Sequence, residues 1–254
     1  MLNHLFKKIA PVAAMAIGLA LSGCNIDMSI NGEKGVPLAE LDQSGDPPTG
    51  VALLGPDVVI ISEGKKLAIT VEGEDKAVEA MRFTLEDGTL GIMRDSDVWN
   101  GKAKATVRVT MPAPEDLNMA GSGRIEAATM AKKANINIAG SGVIEVTALA
   151  ADSLEVAMAG SGSVKASGSA KALEVSVMGS GETDLSGLTT EGAEVNIAGS
   201  GSVAFASDGK VEVNMAGSGN VTVTGEASCE VNSMGSGKVT CKSGTPQAAT
   251  EPAE

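Results

Sequence analysis

From Leu117 to Cys241 apolar and polar residues alternate with a period of two, and the alternation is written in copies. NINIAGSGVIEV, LEVAMAGSGSVK and EVNMAGSGNVTV are three of them. The tripeptide Gly-Ser-Gly starts at Gly121, Gly140, Gly160, Gly179, Gly199, Gly217 and Gly235, at spacings of 18 to 20 residues. Four positions before each first glycine stand Leu117, Ile136, Val156, Val175, Val195, Val213 and Val231, all aliphatic. Four after it stand Ile125, Ile144, Val164, Thr183, Val203, Val221 and Val239. Alternation on both sides of a corner predicts two strands, each with one buried face. No helical period competes with it here.

A unit near 20 residues is too short for a propeller blade and fits one coil of a stack. The sequence therefore predicts an all-β, single-domain parallel β-solenoid with about seven regular coils turning at the Gly-Ser-Gly corners. Glycine suits the corner because it reaches positive φ and lets neighbouring backbones approach. The middle serines form a column whose hydroxyls can bond along the stack. Seven coils spaced by one strand separation make a rod of roughly 34 Å.

Upstream, residues 50–116 read as less regular coils of the same body, with alternation at Val58/Ile60, Leu67/Ile69/Val71, Phe83/Leu85 and Leu90/Ile92 and one helical turn at 77–81. Regular coils fill 117–243, so the domain spans 50–243. Residues 244–254 (GTPQAATEPAE) carry the composition of a disordered tail.

Several segments, in order, make the chain similar to a known family. They are GPDVVIISEG, LAITVEGED, EDGTLGIMRD, VRVTMPAPEDL and the serial Gly-Ser-Gly corners. Together they resemble the bacterial head GIN domain family of auto-transporter adhesins. The resemblance implies a right-handed β-helix on an envelope protein with an adhesive role, and it brings no catalytic residues.

The first residues, MLNHLFKKIAPVAAMAIGLALSGC, combine Lys7 and Lys8 with an apolar run too short to span a bilayer. Ending in Leu-Ser-Gly-Cys, they resemble a bacterial lipoprotein signal, which implies removal of 1–23 and lipidation of Cys24. Residues 24–49 then read as a lipidated terminus and flexible tether. The expected location is the cell envelope, anchored in the outer membrane, with its surface and periplasmic sides both open.

Processing would remove the single histidine, His4, and take the formal charge from −13 to −15. Without histidine there is no Ser-His-Asp or Cys-His catalysis and no His-ligated metal. Acidity and the scarcity of aromatic residues argue against nucleic acid. Carbohydrate-active β-helices place acidic or basic clusters beside long loops; here the arginines (Arg82, Arg94, Arg108, Arg124) all precede the repetitive corners. Catalytic residues are therefore not expected. The expected role is an adhesin or binding module for an unidentified surface ligand, with a periplasmic scaffold as the alternative and a polysaccharide-active enzyme third.

Three outward or terminal features bear on binding. Five positions before the corners, Glu155, Glu174, Glu194, Glu212 and Glu230 make an acidic column. It suits weak divalent cations such as calcium, a basic partner, or simply a solvated face. Beside it, Asn118, Asn137, Asn196, Asn214 and Asn232 can form an amide ladder. Cys229 and Cys241, inward on both strands of the last coil, are either a disulfide or two buried thiols. Met119, Met158, Met178, Met215 and Met234 read as core filler, and Trp99 is either a recognition residue or part of the core.

Overall fold

The computed structural model describes residues 35–95, 98 and 102–241. The signal segment, Cys24, Trp99 and the 244–254 tail lie outside the described residues.

Strands β1 (Gly50–Gly55) and β2 (Val58–Glu63) flank a first corner, and β7 (Asp116–Gly121) and β8 (Arg124–Ala127) flank the next. Then follow β9 (Lys133–Gly140), β10 (Val143–Gly160), β11 (Ser163–Gly179), β12 (Glu182–Gly199) and β13 (Ser202–Gly217). The last coils are β14 (Asn220–Thr224), β15 (Ser228–Gly235) and β16 (Lys238–Cys241). Every pairing among these strands is parallel and joins one coil to the next. This is the parallel β-solenoid that the period-two copies predict.

Register explains why the sequence repeats so strictly. Leu117, Ile136, Val156, Val175, Val195, Val213 and Val231 stack one upon another. All but the last are buried. A one-residue slip in any coil would turn its apolar set outward, so each coil reads the register of its neighbour. Main-chain bonds run across the corners as well: Ser141 N–H donates to the Gly121 carbonyl at 2.9 Å, and the coils through Ser218 repeat the bond. The serine amide, rather than its exposed hydroxyl, carries this corner ladder.

Two glycines per corner have separate jobs. The first has φ near +122° at Gly140, and a Cβ there would stand 2.5 Å from the Gly121 oxygen that accepts the corner bond. The third leaves room for a side chain from the previous coil: a Cβ on Gly142 would lie 1.9 Å from Met119 Sδ. Met119, Met158 and Met215 fill such spaces, but Met178 and Met234 are 56% and 66% exposed. They sit one position before the corner, where alternation turns side chains outward, which corrects their reading as core filler.

The upstream region departs from a simple succession of coils. The β1–β2 pair is itself a coil of the regular kind, cornered at Gly55-Pro56-Asp57 and in register with Gly121. Beyond it lie β5 (Thr89–Arg94), parallel to β1, and β6 (Thr106–Met111), parallel to β2. The outermost strands, β4 (Met81–Glu86) and β3 (Ala68–Glu72), pair antiparallel with β5 and β6. Chain order and stacking order therefore differ, and residues 64–111 form a cap rather than further coils. The antiparallel turnabout ends the parallel stack, with β3, among the described residues, paired only to β6 and its Ile69 and Val71 partly buried. The expected helical turn is α1 (Asp75–Glu79), two residues earlier than the sequence suggests.

The tether is shorter than its composition indicates. Val36 exchanges main-chain bonds with Phe83 at 2.9 and 2.8 Å, and Leu38 and Leu41 pack against the core. From residue 35 onward the chain belongs to the folded body, because these apolar residues extend the cap. No helix among the described residues is long and apolar enough to cross a membrane.

An ion pair locks the cap to the stack. Asp57 is fully buried at its corner and faces Arg94, 7% exposed. Arg94 Nε donates to Asp57 Oδ2 at 3.0 Å and its Nη2 to Oδ1, while Ala105 N–H donates to Oδ1 at 2.8 Å. Asp57 thus binds the ends of β5 and β6 to the first corner.

Thr183 is the exception in its column, between Val164 and Val203. It is 1% exposed and its hydroxyl meets no partner. Thr183→Val keeps the shape and removes an orphaned polar atom, so unfolding in urea is expected to need about 1 kcal/mol more free energy. A loss of stability would show that the hydroxyl is satisfied.

Candidate binding surface

One outward column is acidic through five consecutive coils. Glu155, Glu174, Glu194, Glu212 and Glu230 lie in consecutive register positions on adjacent strands. Alternation points them outward and each coil repeats the position, so the row follows from the same periodicity that builds the core. Lys210 Nζ reaches Glu230 Oε2 at 3.3 Å at the C-terminal end of the row.

The amide ladder stands beside it. Asn214 Nδ2 donates to Asn196 Oδ1 at 3.2 Å and Asn232 Nδ2 to Asn214 Oδ1 at 3.2 Å, while Asn137 bonds Asn118 at 2.9 Å. Ala157 and Ser176 interrupt it in the middle coils. Asn196 and Asn214 also donate to Glu194 and Glu212, at 3.2 and 3.4 Å, which fixes the direction of those carboxylates. On the other flank of the row, Ser153, Ala172 and Gly192 occupy consecutive register positions. Their small side chains leave a shallow groove of about 350 Å³ along Glu155, Glu174 and Glu194.

The face beyond the corner is different. There Glu126 and Glu145 flank Arg124, which contacts both, and Lys165 stands in register between Glu145 and Asp184. The Glu126 carboxylate hydrogen-bonded to Arg124 raises its already high pKa. Further along the coil, Lys171 lies 2.7 Å from Asp152 and holds that carboxyl below its ordinary range. Charge is balanced on these surfaces and concentrated on the Glu155–Glu230 row, an asymmetry visible only once the columns are placed in register.

The row offers a line of negative charge rather than a coordination site. Its carboxylates are spaced one strand apart, and among the described residues no group of three or more His, Cys, Asp or Glu side chains could hold a metal ion. Strong calcium sites also draw on backbone carbonyls converging from a loop, whereas these glutamates arise from strands.

Cys229 and Cys241 are joined in a disulfide, Cα to Cα 6.6 Å, across the two strands of the last coil. The two cysteines stand 12 positions apart in sequence, on either side of the Gly235 corner.

Two measurements follow from this geometry. Neighbouring carboxylates one strand apart repel by roughly 0.9 kcal/mol per pair at water's dielectric, less in salt. Glu194→Lys turns two such repulsions into attractions, so the melting temperature should rise at low ionic strength, and the gain should shrink in 0.5 M salt (roughly a 4 Å Debye length). A fall at low salt would show that Glu194 is held by something stronger than its neighbours. Replacing both cysteines, Cys229→Ser with Cys241→Ser, should cost about 2–4 kcal/mol of stability; an unchanged denaturation midpoint would mean that the last coil unfolds independently of the rest.

Comparison with known proteins places this architecture. The family model described as "Putative auto-transporter adhesin, head GIN domain" matches residues 47–227. A solved structure from Bacteroides fragilis titled a "putative adhesin" is 17% identical, with a TM-score of 0.67 over 78% of this chain and 93% of that one. A "putative lipid binding protein" from Parabacteroides distasonis is 21% identical, with a TM-score of 0.60 over the same shares. A "putative adhesin" from Parabacteroides merdae is 15% identical at a TM-score of 0.53, over 76% and 91%. At these identities the solved structures speak for the fold alone. No curated protein matches the chain significantly. The family match spans most of the chain and includes six of the seven Gly-Ser-Gly corners: the chain belongs to the head GIN domain family.

Proposed function

We propose that the protein is a lipid-anchored binding module of the bacterial outer membrane that works in adhesion without catalysis. Its contact surface is the acidic face, and the complementary partner is cationic. The observation that carries this reading is the Glu155–Glu230 row, five carboxylates kept in register on a rigid rod beside a charge-balanced face. A linear array of like charges meets an extended basic surface many times over, so contacts that are individually weak act together. The family's adhesin description supports the role, and the Leu-Ser-Gly-Cys sequence ending at Cys24 supports the anchor.

A bare row of charges costs stability that function would have to justify. The shallow groove beside it encloses too little of a small molecule to act as a catalytic cleft, which needs convergent groups in an enclosed site. Attachment at Cys24 would put the anchor on the capped side of the rod, since the chain enters the fold at Val36 against β4.

Protease added to intact cells tests the placement. Digestion or release of the domain is expected, with Cys24→Ser freeing it into the medium or the periplasm. Full protection until the outer membrane is opened would confine the solenoid to the periplasm, overturn the adhesin reading and favour a structural scaffold.

A further inference from the structure

The two ends of the solenoid are unlike. The N-terminal end finishes in antiparallel β3 and β4, with Val36 bridged to β4. At the C-terminal end β15 pairs only with β13, and β16 only with β14, so among the described residues their outer edges carry unpaired N–H and C=O groups. The inward residues are uncovered there too. Val211, Val213, Val221 and Val223 are buried in the preceding coil, whereas Cys229, Val231, Val239 and Cys241, next in the same columns, are only partly buried. Eight residues of β15 make this a long edge, of the kind that proteins ordinarily cover, twist or charge.

We propose that this end is an interface with a second copy of the same chain, forming a two-fold, tail-to-tail dimer. β15 runs into the Gly235-Ser236-Gly237 corner and β16 runs out of it. A two-fold axis bisecting the corner therefore lays β15 of one copy antiparallel to β16 of the other, and closes both edges in a single isologous contact. Corner set on corner fixes the register: Val231 faces the partner's Cys241, Asn232 its Thr240, Ser233 its Val239 and Met234 its Lys238. Inward residues meet inward residues and outward meet outward, so the partly exposed Val231, Val239 and Cys241 are covered while the polar pair stays at the rim.

The edge's own two-fold complementarity favours a second copy over other occupants: both strands present the same columns, and one symmetric contact satisfies both of them at once. A head-to-tail stack would set this edge against antiparallel cap strands that do not continue the coil register. The disulfide between Cys229 and Cys241 ties the two presenting strands together and lowers the entropy lost on pairing.

The full chain carrying both Asn232→Cys and Thr240→Cys, purified in mild detergent, tests the register. The two positions point outward from different strands, eight residues apart around the corner, and are placed to bond only between copies. A covalent dimer on a non-reducing gel is expected from the double variant and not from either single one, and sedimentation of the unaltered chain should give twice the protomer mass. A double variant that stays monomeric, single variants that cross-link as readily, or a ladder of larger species would each overturn the proposal. Neither readout touches the acidic face or the membrane, so failure here leaves the proposed function standing, and failure there leaves the dimer.

Discussion

Everything in this molecule depends on the approach of one corner to the next. The carbonyl of Gly121 must point along the stack to receive the amide of Ser141, and at 2.9 Å that leaves no space for a side chain on Gly140. The conformation requires positive φ at the same residue. Glycine meets both demands, and any other residue would break the ladder on both sides of its coil. With the corners in contact, strands on either side are brought into parallel pairing, and the columns of Val and Ile follow. A solenoid lacks the long-range crossings that would correct an error elsewhere, so the first glycine recurs at every corner, Gly55 included.

The same repetition decides where charge goes. A position that faces outward in one coil faces outward in all, so a single residue preference becomes a row. On the face beyond the corner the preference alternates in sign along Glu145, Lys165 and Asp184. On the Glu155–Glu230 face it does not, and the Asn ladder holds part of the row in place through Asn196 and Asn214. Charge repulsion there is of the order of the net worth of a hydrogen bond, small beside the burial of a whole apolar coil. The fold can therefore carry an acidic face without being threatened by it. That surplus lets the row persist through five consecutive coils.

The regular coils could be read directly because each residue's environment is set by its copy one coil away. The cap could not. Gly55-Pro56-Asp57 is a corner in register with Gly121, yet it shares only its first glycine with the repeat. Pro56 and Asp57 hide it. Asp57 stands where other corners have glycine because its carboxylate is needed to hold Arg94 and the Ala105 amide, a requirement that appears only when β5 and β6 are in place. Nor does alternation tell parallel from antiparallel pairing, so β3 and β4 looked like more coils. Docking of Val36 was obscured for a similar reason: one strand-like residue among Gly and Pro has no period. By contrast, the exposure of Met178 and Met234 was readable from their parity, once composition was set aside.

The two ends show how a one-dimensional fold meets a problem that globular folds seldom face. Each added coil buries the previous one, so the last coil is always half uncovered whatever its sequence. At the N-terminal end the chain spends about fifty residues on a return path of antiparallel strands and a buried ion pair, coupling the cap to the corner column itself. At the C-terminal end it uses a covalent tie instead. A disulfide limits fraying by restricting the unfolded coil, but it satisfies no backbone group and covers no apolar side chain. Val231 and Val239 remain partly open to water under it. Stiffening an edge without covering it keeps that edge in shape for pairing, and that is the physical difference between a terminus that is finished and one that is presented.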